Sequence, residues 1–343
     1  LELENNRTIQ SNQKFFESKK DISIPERIPR KIRSKSNATY KTSQYSQSKQ
    51  VLETETKRSK FQLNSRSPSI QSQQLIDNEV QVLKELDDQS FDYHLYHYVS
   101  GNYDVTRQNS LYKAELLDES SSYVQELLVA NSIVKGDINE AKKYLVKLVN
   151  SGALSPETIA YTEDVLKSSD KDQILLTHGT SDSYGCFYNQ YVVSNQFLST
   201  TVISLDLLKS QSYRTLLEQK AIKLPKRKNI DVAYFKEFCD LNSGRSISIS
   251  MTFPIDYIRP IANRLIPYGL VYRTGKQEQL CASDLEDLWN NGLNKKNLND
   301  FTSQESRNYS KNYLPTQTIL KSYKEANKGN LYLNSYKGQK ESK

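Results

Sequence analysis

The stretch Ile174–Leu208, ILLTHGTSDSYGCFYNQYVVSNQFLSTTVISLDLL, constrains the fold more than any other part of the chain. Ile174–Thr177 is a short apolar run and His178–Tyr184 is polar. Gly185–Val193 reads as a helix anchored by Phe187 and Tyr188, and Thr201–Leu205 is a second apolar, β-branched run. Strand, polar loop, helix and strand in that order open a βαβ unit. Parallel strands need such helical crossovers, so the expected class is α/β with a mostly parallel, Rossmann-like sheet.

Downstream segments extend the pattern. A helix runs through Tyr213, Leu216 and Leu217, and a second helical face carries Tyr234, Phe235, Phe238 and Leu241. Ser246–Phe253, SISISMTF, alternates with period two up to Pro254. Ile255–Ile266 reads as a helix broken at Pro260, Tyr268–Arg273 as a last strand, and Ser283–Leu293 as a closing helix around Trp289. Residues 171–297 are therefore assigned to the α/β domain.

Residues 76–170 read as helical. An apolar stripe through Tyr123, Leu127, Leu128, Ile133 and Val134 stops at Gly136-Asp137, and Ala141, Tyr144, Leu145 and Leu148 start a second. Ser155 then caps a helix whose first residue is Pro156. The string VKGDINEAKKYLVKLVNSG resembles a TPR-like (tetratricopeptide-type) helical hairpin. One such unit falls short of the three that a free solenoid needs, so it is expected to pack on the sheet domain.

The two ends differ in character. Residues 1–75 hold 15 Lys/Arg against 7 Asp/Glu, a net of +8; the whole chain is +7, so residues 76–343 net to −1. The basicity belongs to the N-terminal segment, which argues against a nucleic-acid-binding body and leaves that segment to meet an acidic partner, a phosphate backbone or a membrane surface. With no helical or strand period and a mean hydropathy of −0.72 for the chain, residues 1–75 are expected to be a disordered or extended basic arm, and 298–343 a polar C-terminal arm with a short helix near Leu314–Ala326. Ile24–Arg33, IPERIPRKIR, has the spacing of an extended ligand segment. Several of the 23 tyrosines lie in these ends (Tyr40, Tyr45, Tyr309, Tyr313, Tyr323, Tyr332 and Tyr336), where tyrosine suits an interface. The opening LELENN, without an initiator Met, is expected of a processed product or fragment, and no run of eighteen apolar residues spans a membrane.

ILLTHGTSDSYGCFYNQ, then VISLDLL with Tyr213, and later RSISISMTFP and YGLVYR arrive in an order that resembles a known family. It is the soluble C-terminal domain of multi-spanning GT-C-like membrane proteins of Bacteroidota, related to the transmembrane protein O-mannosyltransferases. In that family a strand leads into an NGDNDTYPLWY-like loop, an NLSLL-like strand follows, and a GLVYR-like strand comes near the end. The resemblance covers about residues 120–295. Here His178 replaces the family's Asn, Thr180-Ser181 its acidic-amide pair, and Gly185-Cys186 its Pro-Leu. The catalytic half of those enzymes lies in the membrane and has no counterpart in these residues. The resemblance therefore implies a fold and an exported setting, periplasmic or outer-membrane-associated, and no catalytic residue.

Candidate chemistry centres on His178, Gly179, Thr180, Ser181, Asp182 and Ser183, at the carboxyl end of the first strand, where open α/β sheets bind ligands. A loop feeding a helix N-terminus can hold a ligand on backbone N–H groups; equally, Asp182 and Ser183 have the chemistry to cap a helix opening near Gly185. No GxGxxG, GxxxxGK[ST] or GxSxG motif is present, so no cofactor is expected. Cys186 and His178 lack an orienting third residue for thiol catalysis, and Cys186 falls on an aromatic helix suited to packing. His94 and His97 share a helical face among tyrosines without completing a metal set. Cys186, Cys239 and Cys281 are spaced neither as metal ligands nor as a dense disulfide framework; buried thiols, or one bridge and one free thiol, remain open.

Two functional readings follow. The first is a non-enzymatic exported accessory or scaffold subunit of a bacterial envelope assembly, such as a secretion or gliding machine, docking on a larger protein complex through its arms. The alternative is a carbohydrate- or glycolipid-binding module associated with a glycosyltransferase, with His178–Ser183 as its contact loop.

Overall fold

The computed structural model describes residues 30–60, 62–169, 173–274, 282–300 and 302–325, with side chains from residue 40 onward. The described residues divide into two units between Gln44 and Tyr45, and the second holds the sheet and the hydrophobic core.

The first helices are α1 (Arg30–Lys60), α2 (Ile70–Asp87), α3 (Phe91–Val99), α4 (Gln108–Leu117), α5 (Ser122–Lys135), α6 (Ile138–Asn150) and α7 (Pro156–Ser168). Their boundaries follow from local chemistry. Side-chain oxygens of Ser69, Ser90, Ser121, Asp137 and Ser155 each accept a backbone N–H of the first turn, and Pro156 stands at a helix start, where its missing N–H costs nothing. Gly136, at φ +76°, ends α5 in the left-handed region and lets α6 fold back on it. The stripe read from the sequence is the buried face of this pair: Leu127, Leu128, Ile133, Ala141, Tyr144, Leu145 and Leu148.

The expectation of an extended arm over 1–75 is corrected for residues 30–60, which form α1. Three positions one turn apart, Ser48, Leu52 and Glu55, are buried, and the Ser72 hydroxyl donates to the Glu55 carboxylate. Two of these three are polar, and Glu55 is satisfied from α2, so no apolar period marks the face. Residues 62–69 continue along the body, with the Arg66 N–H on the Ile230 carbonyl at 2.7 Å. Ile24–Pro29 of the ligand-like segment lie outside the described residues; Arg30–Arg33 begin α1.

The sheet follows. β1 (Ile174–Thr177) is buried along its whole length and leads into α8 (Thr180–Tyr188), which continues as a π-helical turn over Asn189–Val193. β2 (Thr201–Ser204), α9 (Gln211–Gln219), α10 (Val232–Leu241) and β3 (Ile247–Ser250) come next. A single helical turn, α11 (Ile255–Ile258), passes into a 3₁₀ segment, then β4 (Leu265–Tyr268) and β5 (Val271–Thr274). The strand order is β2–β1–β3–β5–β4. β1 runs parallel to β2 and to β3, while β5 is antiparallel to both β3 and β4.

The sheet is thus mixed, which corrects the mostly parallel expectation. Two residues, Gly269 and Leu270, join β4 to β5, with Gly269 at φ +58°. So short a link makes a hairpin and leaves no room for a crossover helix. The helix expected over 255–266 is cut short for the same reason: Leu265 and Ile266 belong to β4, where Pro267 is tolerated on an edge strand.

The C-terminal segment is packed as far as residue 325, correcting the expectation of a free arm from 298. α12 (Ala282–Asp287), α13 (Lys296–Asn299), α14 (Gln304–Ser310) and a helix over 314–325 pack against the body. Asp164 of α7 accepts the backbone N–H of Asn294 and Lys295 at 2.7 and 2.9 Å and the Tyr313 hydroxyl at 2.8 Å. Thr316 donates to the Gly269 carbonyl at 2.6 Å, tying the segment to the hairpin turn. Among the described residues no helix is long and apolar enough to cross a membrane.

Candidate functional site

β2 and β3 flank β1 on opposite sides, so the segments leaving the carboxyl ends of β1 and β3 part from each other there. This divergence is the place where open α/β sheets leave a crevice. β1 delivers His178–Asp182 and β3 delivers Met251–Pro254. A cavity of about 350 Å³ opens between them, lined among others by His178, Thr180, Ser181, Asp182, Thr252 and Tyr309.

The helix after β1 starts earlier than its aromatic residues indicate. Gly179 is its N-cap, and no side chain caps it. Thr180–Ser183 are therefore the first turn of α8, and the capping role expected of Asp182 and Ser183 is corrected. The Ser183 hydroxyl turns back to the Gly179 carbonyl at 2.8 Å and meets the Thr177 hydroxyl at 2.8 Å. Asp182 is drawn to β3, taking the Thr252 hydroxyl at 2.8 Å and the Ser250 hydroxyl at 3.3 Å. Burial pushes its pKa up to about 6, against the lowering effect of Thr252, Ser250 and the His178 N–H. By helix geometry the N–H groups of Thr180, Ser181 and Asp182 precede the first intrahelical bond, which Ser183 makes.

His178 stands edge-on to Phe253 and Tyr257, with centroids 5.4 Å away in each case. Its Nε2 is buried and meets no hydrogen-bond partner among the described residues. Burial, with the nearby Arg66 charge, lowers its pKa to about 4, so the ring is neutral at pH 7. Cys186 is fully buried, and burial drives its thiol well above the ordinary range, so it packs in the core as a neutral thiol. Cys239 is likewise a buried free thiol, and Cys281 lies outside the described residues. His94 is buried in α3, while His97 Nδ1 is 2.8 Å from the Ser110 hydroxyl. No group of three or more potential ligating side chains occurs among the described residues.

Sequence reasoning missed a second cluster beside the crevice. Asp206, just past β2, takes Arg66 Nε and Nη2 at 3.3 Å each, Lys209 Nζ at 3.0 Å and the Tyr103 hydroxyl. Burial alone would raise its pKa, but Lys209 and Arg66 outweigh it and hold the carboxyl well below the ordinary range. Arg66 is itself 3% exposed and spends another nitrogen on the Lys60 carbonyl at 3.1 Å. The only signal in the sequence was an arginine in a basic segment, 140 residues from its partner.

Behind the crevice lies a smaller chamber of about 70 Å³ with Tyr98, Tyr103, Tyr123 and Tyr184 among its walls. Lys60, Glu126 and Thr180 line both spaces.

Comparison of the chain with models of protein families, with curated proteins and with solved structures finds no match.

Proposed function

We propose that this chain is a binding module, without catalysis of its own, for a carbohydrate or glycolipid head group held in the crevice at the carboxyl ends of β1 and β3. The observation that carries this is the open cavity of about 350 Å³ into which the first turn of α8 faces. Ligand pockets combine a concave space with a few converging polar groups. Here the hydroxyls of Thr180, Ser181 and Thr252 offer donors and acceptors, and the first turn of α8, which no side chain caps, offers backbone N–H groups. Tyr309, whose ring stacks on Tyr161 at 4.2 Å, gives the rim a flat apolar side on which a sugar face can pack. The resemblance to the soluble domain of GT-C-like membrane proteins supports the choice of ligand. It would make this a Rossmann-like domain with a TPR-like prelude, serving a membrane glycosyltransferase on the periplasmic or outer-membrane side of the envelope. Glycan-array and calorimetric binding should be lost in His178→Ala and Asp182→Ala proteins whose circular dichroism is unchanged. Silence across free and lipid-linked sugars would remove the proposal.

A second reading, an accessory subunit of a bacterial envelope assembly, is favoured by one separate observation. Residues 1–44 hold 10 Lys/Arg against 5 Asp/Glu, which suits an arm that engages an acidic surface. Pull-down from solubilised envelopes with the whole chain and with residues 1–44 removed tests it. An identical set of captured proteins would rule out docking through that arm.

A further inference from the structure

We propose that the tyrosine-walled chamber behind the crevice binds a primary ammonium group on a short flexible arm, as in an ethanolamine phosphate substituent of a glycolipid, and that Lys60 fills that place when no ligand is bound. The proposal rests on the glycolipid reading and names the part of the ligand that enters deepest.

The chamber already holds ammonium groups, both from the chain itself. Lys60 Nζ lies 3.1 Å from Glu126 Oε2 and 5.7 Å from the centroid of the Tyr123 ring. Lys209 Nζ lies 3.0 Å from Asp206 Oδ1 and 5.0 Å from the centroid of the Tyr103 ring. A carboxylate beside the face of an electron-rich ring is the arrangement that selects a cation. The two copies differ in how firmly they are filled. The Lys209 and Asp206 side chains are 13% and 10% exposed, and Arg66 adds to the pair. The Lys60 and Glu126 side chains are 41% and 26% exposed, a setting in which an ion pair holds its partners only weakly. Lys60 is also the last residue of α1, so its side chain can leave without moving a helix.

Position and size define the ligand. Lys60 and Glu126 line both the crevice and the chamber, so swinging Lys60 aside joins the two spaces. The inner space, about 70 Å³ with Lys60 in place, is much the smaller of the two. The ammonium end of the ligand therefore takes the position of the Lys60 head group there, and the remainder stays in the crevice of about 350 Å³. The backbone supplies an independent sign. Asn102 and Tyr103 follow one another at φ +51° and +65°, a conformation that a bulky residue such as Tyr103 rarely adopts. That turn delivers the Tyr103 ring to Asp206 and to the chamber wall. Strain of this kind is kept where the position of a side chain matters.

Calorimetry on the whole chain with O-phosphoethanolamine, ethanolamine, inorganic phosphate, neutral sugars and a blocked lysine peptide tests the proposal. Lys60→Ala removes the internal competitor and should tighten both ethanolamine compounds by about fivefold, with inorganic phosphate no tighter. Glu126→Gln in the Lys60→Ala background should weaken ethanolamine by about tenfold. Both positions are partly exposed, so the fold should survive, and circular dichroism checks it. Equal ethanolamine affinity with and without Lys60 would overturn the proposal, as would phosphate binding alone or tighter capture of the lysine peptide. Ethanolamine binding that responds to Lys60, with no binding of neutral sugars, would keep the chamber and remove the carbohydrate reading. Neutral-sugar binding that depends on His178 and is indifferent to Lys60 would do the reverse.

Discussion

Replacing Asp182 by Asn isolates the energetic consequence of putting a carboxylate at the head of the crevice. Asp182 is 5% exposed, and burial raises its pKa to about 6 even though Thr252, Ser250 and the His178 N–H all donate to it. An acid that holds its proton more tightly folded than unfolded makes the native state most stable below its unfolded pKa. Stability then falls as the pH rises through the folded value. The wild-type chain should therefore lose stability from this group between about pH 4 and pH 6. At 1.36 kcal/mol per unit, the displacement amounts to about 3 kcal/mol. Asn keeps an acceptor for Thr252 but turns a donor toward groups that donate to the second oxygen, a loss of about 1–3 kcal/mol. That loss does not depend on pH, so the comparison lies in the slope. Urea denaturation of both proteins from pH 4 to pH 8 should show the difference in stability moving by about 3 kcal/mol in favour of Asn. Taking the difference cancels Asp206 and the other carboxylates common to both. Parallel pH–stability curves, or a drift in favour of Asp at high pH, would refute the reasoning.

Asp206→Ala should cost about 3–5 kcal/mol in chemical denaturation, because it leaves the buried Arg66 guanidinium without its carboxylate. In the intact protein this group stabilises above its unfolded pKa, and the contribution should be lost progressively as the pH drops below about 4; a variant that is acid-labile to the same degree as wild type would contradict this. Leu52→Ala, in a segment that composition alone marks as an arm, should destabilise by about 2–5 kcal/mol, and a change below the error of the melt would mean α1 does not pack. Gly185→Ala would put its Cβ 2.5 Å from Thr162 Oγ1 and should destabilise by about 1–3 kcal/mol. Most of that should return in the Gly185→Ala/Thr162→Ala double variant, and simple additivity in the cycle would show the clash is not the cause.

What the sequence made legible, and what it hid, divides by where hydrogen bonds are completed. β1 was readable because three consecutive apolar side chains, Ile174, Leu175 and Leu176, are followed by Thr177 and a polar turn, the pattern of a short strand buried on both faces. The α5–α6 pair was readable because its apolar stripe and Gly136 act within one short window. α1 was not: of the three buried positions among its described side chains only Leu52 is apolar, and Glu55 is tolerated there because Ser72, seventeen residues on, donates to it. Arg66 looked like one more charge in a basic tail until Asp206 was seen to meet it. The β4–β5 hairpin was legible in principle from Tyr268-Gly269-Leu270, yet Gly269 also has to leave room for Ser168, whose hydroxyl takes the Leu270 N–H at 2.9 Å. Within the candidate site the same division holds. His178–Ser183 could be located from the strand that precedes them, since a strand end is a local property. Asp182 could not be told from a helix cap, since Ser250 and Thr252, which decide its role, lie 68 and 70 residues further along the chain. A polar residue in this fold is therefore read correctly only once its partner is known, and for Asp182 and Arg66 beside the crevice that partner is supplied by a distant element.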